Sequence, residues 1–207
     1  MTESFDVEVF DAWKGIYVDA TLIKDAPVSE IDAAAAGWDT WLGHTDKFYK
    51  RYGISPAVAA PHSHWPWAKF ATAIAASGGA AEMYSVITEQ TVQGMMVLIT
   101  AGWDCRLPAQ KGYAGAYVEL IGSAPWNQRT AVPVPRYLGV GSALMQRAVT
   151  VSKDEGMKGR LGLHALSGAS SWYAKIGMVS LGPDPDPKKQ NLEYFEFTAT
   201  AAEAYLS

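Results

Sequence analysis

Cysteine is almost missing: Cys105 is the only one in 207 residues. That excludes an internal disulfide and a cysteine-cluster metal site, and Cys105 reads as a reduced structural thiol. Neither sign of charge dominates, with 17 Lys and Arg against 21 Asp and Glu and a net charge of -4. A basic nucleic-acid footprint is therefore lacking, and nucleic acid is not an expected partner. No apolar run approaches the roughly 18–20 residues that cross a bilayer. The acidic stretch Met1–Phe10 also lacks the charged-then-apolar pattern of a secretion signal. No membrane association is expected, and the chain reads as cytoplasmic. There is no internal repeat and no low-complexity linker, so residues 1–207 read as one domain. No metal site is expected either, because His62 and His64 have no carboxylate set beside them.

What is present is apolar and aromatic. Hydrophobic residues make up 49%, with eight Trp and ten Tyr, enough to build a core and to line a pocket or interface. Phe5, Val7 and Val9, then Ile16 and Val18, alternate as strands do around a Lys14-Gly15 turn. Ser29 to Tyr52 reads as a helix with Ser29 as N-cap, Gly53 as stop and an aromatic face of Trp38, Trp41, Leu42, Phe48, Tyr49 and Tyr52. Residues 65–77 read as a second helix. Strands are expected at 81–88, 94–102, 113–123, 160–166 and 193–198. Helices are expected at 141–155 and 169–176, the former with Leu144, Ala148 and Val151 toward the core. The Pro-rich stretches 124–135 and 182–187 read as loops. Interleaved helices and strands with a central meander give a mixed α/β (α+β) sheet domain.

One segment carries chemistry. Arg136-Tyr137-Leu138-Gly139-Val140-Gly141-Ser142 lies between a strand and an amphipathic helix. The first amides of a helix have no internal partners, and the helix dipole leaves positive potential there. Glycines at 139 and 141 let the backbone curl around a phosphate, and Arg136 adds a cation at the mouth. Gly-x-Gly alone is equally the mark of a tight strand-to-helix turn. No Gly-Lys-Ser/Thr follows, so it is not a Walker loop, and the third Gly of a dinucleotide fingerprint is missing.

The pattern Arg-x-x-Gly-x-Gly opening a helix after a strand resembles the signature of the GNAT superfamily of acetyl-CoA-dependent N-acetyltransferases. A second block follows: strand Leu161–Leu166, then Ala169-Ser170-Ser171-Trp172-Tyr173-Ala174-Lys175-Ile176-Gly177-Met178. It is similar to the family's Ala-x-x-Phe-Tyr-x-Lys-x-Gly-Phe helix. The resemblance covers about residues 81–198. It implies a mostly antiparallel sheet flanked by helices, with two parallel strands splayed around acetyl-CoA or another acyl-CoA. The loop before Arg136 is longer than the family's, and the Asn that many members carry shortly before the Tyr is replaced by Leu166 and Ser167.

Acyl transfer from a thioester to an amine needs a base for the amine, support for the oxyanion and an acid for the thiolate. The resemblance assigns the pyrophosphate to Arg136–Ser142, the pantetheine arm to the backbone of Ile121, Gly122 and Ser123, and the acid to Tyr173. An unperturbed Tyr hydroxyl, with a pKa of about 10, stays protonated at neutral pH. Glu119, flanked by Tyr117, Val118, Leu120 and Ile121, is a candidate base whose apolar neighbours would raise its pKa. His164, inside an apolar strand on the other wall of the gap, is the second candidate.

The acceptor is a primary amine, on a small molecule or a protein. Trp65 and Trp67, beside His62 and His64, and Trp126-Asn127 in the long loop are candidates for its pocket. Each is more readily read as packing, Trp65 and Trp67 as a helix start on the core. The aromatic-rich N-terminal half and the edge strands suit a homodimer. Two alternatives remain open: a non-catalytic acyl-CoA-binding module, and an acyltransferase toxin acting on charged tRNA, which the acidic balance disfavours.

Overall fold

The computed structural model describes residues 3–51, 65–166 and 168–207, apart from the side chains of Tyr49 and Lys50. Tyr52, Gly53, His62 and His64 lie outside the described residues. Among the described residues, nine strands form one sheet in the order β6-β1-β2-β3-β4-β5-β7-β9-β8. The strands are β1 Glu3–Asp11, β2 Ile16–Lys24, β3 Ala81–Thr88, β4 Thr91–Ile99, β5 Ala116–Ser123, β6 Tyr137–Leu138, β7 Leu161–Ala165, β8 Val179–Pro183 and β9 Glu193–Phe197. Helices are α1 Val28–Arg51, α2 Trp67–Ala75, α3 Val140–Asp154, α4 Ser170–Lys175 and α5 Ala199–Leu206. β5 and β7 are parallel, while the β1–β2, β1–β6, β2–β3, β7–β9 and β8–β9 pairs are antiparallel. This is the mixed, mostly antiparallel sheet with one parallel pair that the sequence resemblance implies.

The chain packs as two compact units. The first comprises 1–78, 83–96 and 121–144, and the second 79–82, 97–120 and 145–207. In the first unit, β1 and β2 pair over nine positions from Glu3↔Lys24 to Asp11↔Ile16. Gly15 turns the hairpin at φ 71°. The buried carboxylate of Asp11 secures the turn, since its Oδ1 accepts from the Trp13 and Lys14 amides at 3.0 and 3.1 Å. α1 starts one residue earlier than expected. The Glu30 and Ile31 amides donate to the Pro27 carbonyl, so Ser29 stands inside the first turn and is not its cap. Trp38 is buried and Trp41 and Leu42 half-buried, whereas Phe48 is exposed.

In the second unit the core is the face formed by Leu161, Leu163, Phe195 and Phe197, none more than 1% exposed. α3 turns Leu144, Ala148 and Val151 inward as its spacing predicts; they are 0%, 0% and 4% exposed. Two elements of this unit, β8 and α5, were absent from the sequence reading. β8 ends at Gly182-Pro183, inside the stretch expected as loop. α5 is opened by Thr198, whose side chain accepts from the Ala201 amide at 3.1 Å.

Candidate functional site

The first unit holds the glycine loop. Tyr137 and Leu138 add to the sheet edge against Asp11 and Phe10, and the Ala12 amide donates to the Arg136 carbonyl at 2.8 Å. Gly139 then takes φ 92°, a conformation that disfavours any side chain, with open space where a Cβ would stand. α3 begins at the next residue, and its first hydrogen bond back runs from the Ala143 amide to Gly139. The helix start packs directly on β4: a Cβ on Gly94 would lie 2.5 Å from Val140 Cγ1 and 3.2 Å from the Gly122 carbonyl. Residues 121–123 and the loop are thereby held against one another by a glycine contact.

Arg136 differs from the expectation of a cation free for the mouth of the loop. Its guanidinium pairs with Glu89 at 2.5 Å and lies over the rings of Trp13 and Tyr137. Lys14 pairs with the same carboxylate at 2.8 Å, and the two cations push the Glu89 pKa down to about 2. The long loop is fixed from below by Gln93, a side chain only 2% exposed. Its Oε1 accepts from Trp126 Nε1 at 2.8 Å and Asn127 Nδ2 at 3.0 Å, and Asn127 Oδ1 takes the Tyr137 amide at 3.0 Å. Trp126 also meets Trp41 edge-on. The structure therefore puts Trp126 and Asn127 to work on the glycine loop. Trp67 is 2% exposed and stacks between Trp38 and Trp65, in a cluster of three indoles.

The second unit holds the titratable candidates. The β5–β7 ladder has three pairs, Ala116↔Leu161, Tyr117↔Gly162 and Val118↔Leu163. Glu119 and His164 are the first residues beyond it. Glu119 is exposed, not enclosed by its apolar neighbours as the sequence suggested. His164 is enclosed: its side chain is 4% exposed. Nε2 lies 2.7 Å from Asp184 Oδ2 and Nδ1 lies 2.5 Å from the Tyr117 hydroxyl. A carboxylate can only accept, so Nε2 carries the hydrogen, and in the neutral ring Nδ1 presents its lone pair to the Tyr117 O–H. Desolvation, opposed by the hydrogen bond to Asp184 and helped by the charges of Lys189 and Arg106, lowers the His164 pKa. The shift favours the neutral imidazole. A backbone hydrogen bond from Asp186, then His164 and Arg106, hold the Asp184 carboxyl well below the usual carboxylate range.

Sequence reasoning missed Asp184, Arg106, Tyr117 and Lys189. Asp184 sits in an Asp-Pro-Asp-Pro run, which was the available signal. Its Oδ1 accepts from the Asp186 amide at 2.9 Å, and it pairs with Arg106. Arg106 in turn lies over Tyr194, 4.5 Å from the ring centre. Glu196, fully buried, fixes the Arg106 segment: it accepts from the Arg106 amide, Gln110 Nε2 and the Tyr194 hydroxyl. The Trp103 indole fills the groove left by Gly115 and Gly162 and stacks toward Tyr117 and Tyr194.

Strand alternation separates two faces here. His164 is paired with Tyr194, and Tyr117 with Gly162, so both point to one face. Tyr173 stacks on Phe195, the partner of Leu163, and so lies on the other. It is 5% exposed, and burial raises its pKa above the ordinary value. Among the described residues, no group of three or more His, Cys, Asp or Glu is arranged to hold a metal, and no helix is long and apolar enough to cross a membrane.

Comparison with solved structures places this architecture. The GNAT domain of S. lividans PAT superposes with a TM-score of 0.52 at 14% identity, covering 94% of this chain and 96% of that one. The chain has the GNAT acetyltransferase fold. The PaiA N-acetyltransferase of Thermoplasma acidophilum, solved with coenzyme A, matches at TM-score 0.52 and 12% identity over 84% of this chain and 97% of its own. A chain from Bacillus anthracis, assigned as a streptothricin acetyltransferase and bound to acetyl coenzyme A, matches at 20% identity and TM-score 0.42. That match spans 57% of this chain and 63% of the other. No family model matches the sequence, and no curated protein does.

Proposed function

We propose that the chain is an acetyl-CoA-dependent N-acyltransferase that moves an acetyl or short acyl group directly to a primary amine. The observation that carries the reading is the chain Asp184–His164–Tyr117 on the first residue beyond the β5–β7 ladder, where the fold family splays its strands. A neutral histidine with its lone pair turned to a hydroxyl is a base waiting for a proton. Tyr117 passes its own proton to His164 Nδ1 and takes one from the amine, while Asp184 stabilises the imidazolium that results. Glu119, exposed on the same strand, is left as a group that attracts a cationic amine. The revised base assignment is therefore His164, acting through Tyr117.

Acetyl-CoA supplies the acyl group as an activated thioester. The loop fits its pyrophosphate: Gly139 leaves space that a side chain would fill, and the positive end of the α3 dipole begins at the next residue. In this assignment the backbone from Tyr137 to Ser142 holds the phosphates, with Arg136 fixing the loop through Glu89 and Trp13. Ile121, Gly122 and Ser123 line the pantetheine path. Tyr173, protonated at neutral pH and on the face opposite His164, donates to the departing sulfur, so the two proton transfers do not compete. The coenzyme A in the Thermoplasma structure supports the choice of co-substrate. We read residues 1–207 as one catalytic domain, because β3, β4, β5 and α3 each contribute to both packing units.

Isothermal titration with acetyl-CoA, and with dephospho-CoA beside it, tests the co-substrate. Binding, followed by turnover on an amine panel that is lost in His164→Ala, is the expected result. Binding without turnover on any amine would leave an acyl-CoA-binding module. No binding would remove the reading.

A further inference from the structure

The base chain already has an amine at its end. Lys189 Nζ donates to the Tyr117 hydroxyl at 3.3 Å and lies over the same ring, 5.2 Å from its centre. Lys14 and Lys153 are tied to the carboxylates of Glu89 and Glu203. The described partners of Lys189 are instead the hydroxyl and ring face of Tyr117, with no carboxylate among them. Its position is built. Lys189 closes the 3-10 turn Pro187–Lys189, where the Lys189 amide donates to the Asp186 carbonyl and the Asp186 side chain caps Lys188. The Asp186 amide in turn binds Asp184 Oδ1, while Oδ2 of the same carboxylate orients His164. One buried aspartate thus sets both the base and the turn that delivers the amine.

We propose that Lys189 is an acyl acceptor, and that the protein acetylates itself there. The inference rests on the acyltransferase reading above. One proton of the Lys189 ammonium moves to Tyr117 as Tyr117 passes its own to His164, and from there reaches water. The freed lone pair forms an N–C bond to the thioester carbonyl, and the C–S bond breaks. The second proton lost from nitrogen ends on the CoA sulfur. The products are acetyl-Lys189, CoA thiol and one proton released. The modified side chain is neutral, so the Tyr117 hydroxyl loses its cationic donor and an incoming amine meets one positive charge fewer.

The full chain, purified and incubated with acetyl-CoA, is digested with an endoproteinase cutting at Glu, and acetylation is followed by mass spectrometry. Lys188, exposed in the same turn, reports the uncatalysed background. Lys189 is expected to be modified roughly tenfold faster than Lys188 or more, as a held amine should be, with a rate constant independent of protein concentration. Tyr117→Phe and His164→Gln should each bring Lys189 down to the Lys188 rate without loss of acetyl-CoA binding by titration. If Lys189 is no faster than Lys188 in a protein that binds acetyl-CoA and acetylates an added amine, the inference is overturned and the acyltransferase reading stands. If acetyl-CoA does not bind, both fall.

Discussion

Asp184 and His164 form one orientation lock: Oδ2 sits 2.7 Å from Nε2, and in the neutral ring this leaves the Nδ1 lone pair facing Tyr117. Asp184→Asn breaks that logic. An amide nitrogen turned to His164 would force the hydrogen onto Nδ1, where it opposes the Tyr117 donor. Turnover is expected to fall by about 100-fold, a typical worth for a positioned acid–base group, with acetyl-CoA affinity retained. Steady-state rates on an acceptor amine, with titration alongside, check this; an unchanged kcat would take the chain out of the mechanism.

The pH dependence follows from the direction of the His164 shift. The groups facing His164 are Asp184, Tyr117, Tyr194 and the cations Arg106 and Lys189. Burial and the two cations depress its pKa, so its lone pair survives below the ordinary value of about 6.5. Turnover should be level through neutral pH and fall only as acid protonates His164, with the inflection below that value. Lys189→Gln removes one of the depressing charges and should move the inflection upward. A pH–rate profile of each protein, with the His164 ring proton followed by NMR, decides it; an inflection that stays put would separate Lys189 from the base.

Tyr173 and His164 lie on opposite faces of the sheet, and the proposed mechanism gives each one proton transfer. Burial raises Tyr173, so it remains a donor over the whole working range. Tyr173→Phe keeps the ring on Trp172 and Phe195 and removes only the hydroxyl. Turnover should drop with little change in acetyl-CoA affinity. The opposite pattern, lost affinity with normal turnover at saturation, would make Tyr173 a binding residue.

How far the sequence reached depended on the range of the interactions. β3 and the neighbourhood of α3 were legible because alternation and 3.6-residue spacing are local, and Leu144, Ala148 and Val151 needed no partner to be recognised. The short β6 was not, because Tyr137-Leu138 is a strand only by virtue of Phe10 and Asp11. β8 was hidden by its own Gly and Pro. At the site, His164 could be named but not its circumstances. That it is oriented depends on Asp184, and that Glu119 is exposed depends on how β5 packs. Arg136 looked like a phosphate ligand until Glu89, supplied by the β3–β4 turn, took its guanidinium.

The glycine loop gives a binding test independent of any acceptor. Gly139 has φ 92°, and Gly141 lies in the first turn of α3. Gly139→Glu strains the backbone and sets a carboxylate where phosphate oxygens are proposed to lie, and Gly141→Glu adds the same repulsion without the strain. Both should lose acetyl-CoA binding by titration while retaining the far-ultraviolet circular dichroism of the parent. Retained affinity in the Gly141 variant would move the cofactor away from this loop.

Gly162 tests whether the Trp103 layer holds the second unit together. A Cβ there would stand 2.3 Å from Trp103 Cζ2 and 2.6 Å from the Tyr194 hydroxyl. The ring is itself packed against Tyr117 and over Gly115, where a Cβ would be 2.4 Å away, so the indole cannot retreat toward that strand. Tyr194 is tied to Glu196 and capped by Arg106. Overpacking of this kind costs about 1–3 kcal/mol, or roughly 2–4 °C in Tm for each kcal/mol at this chain length. Gly162→Ala should therefore melt several degrees below the parent by calorimetry. It should also lose turnover, since Gly162 is paired with Tyr117 and any shift of Trp103 is passed to the hydroxyl that serves His164. A variant that melts like the parent would mean that Trp103 yields freely, and that the Tyr117–His164 distance is set by Asp184 and Lys189 alone.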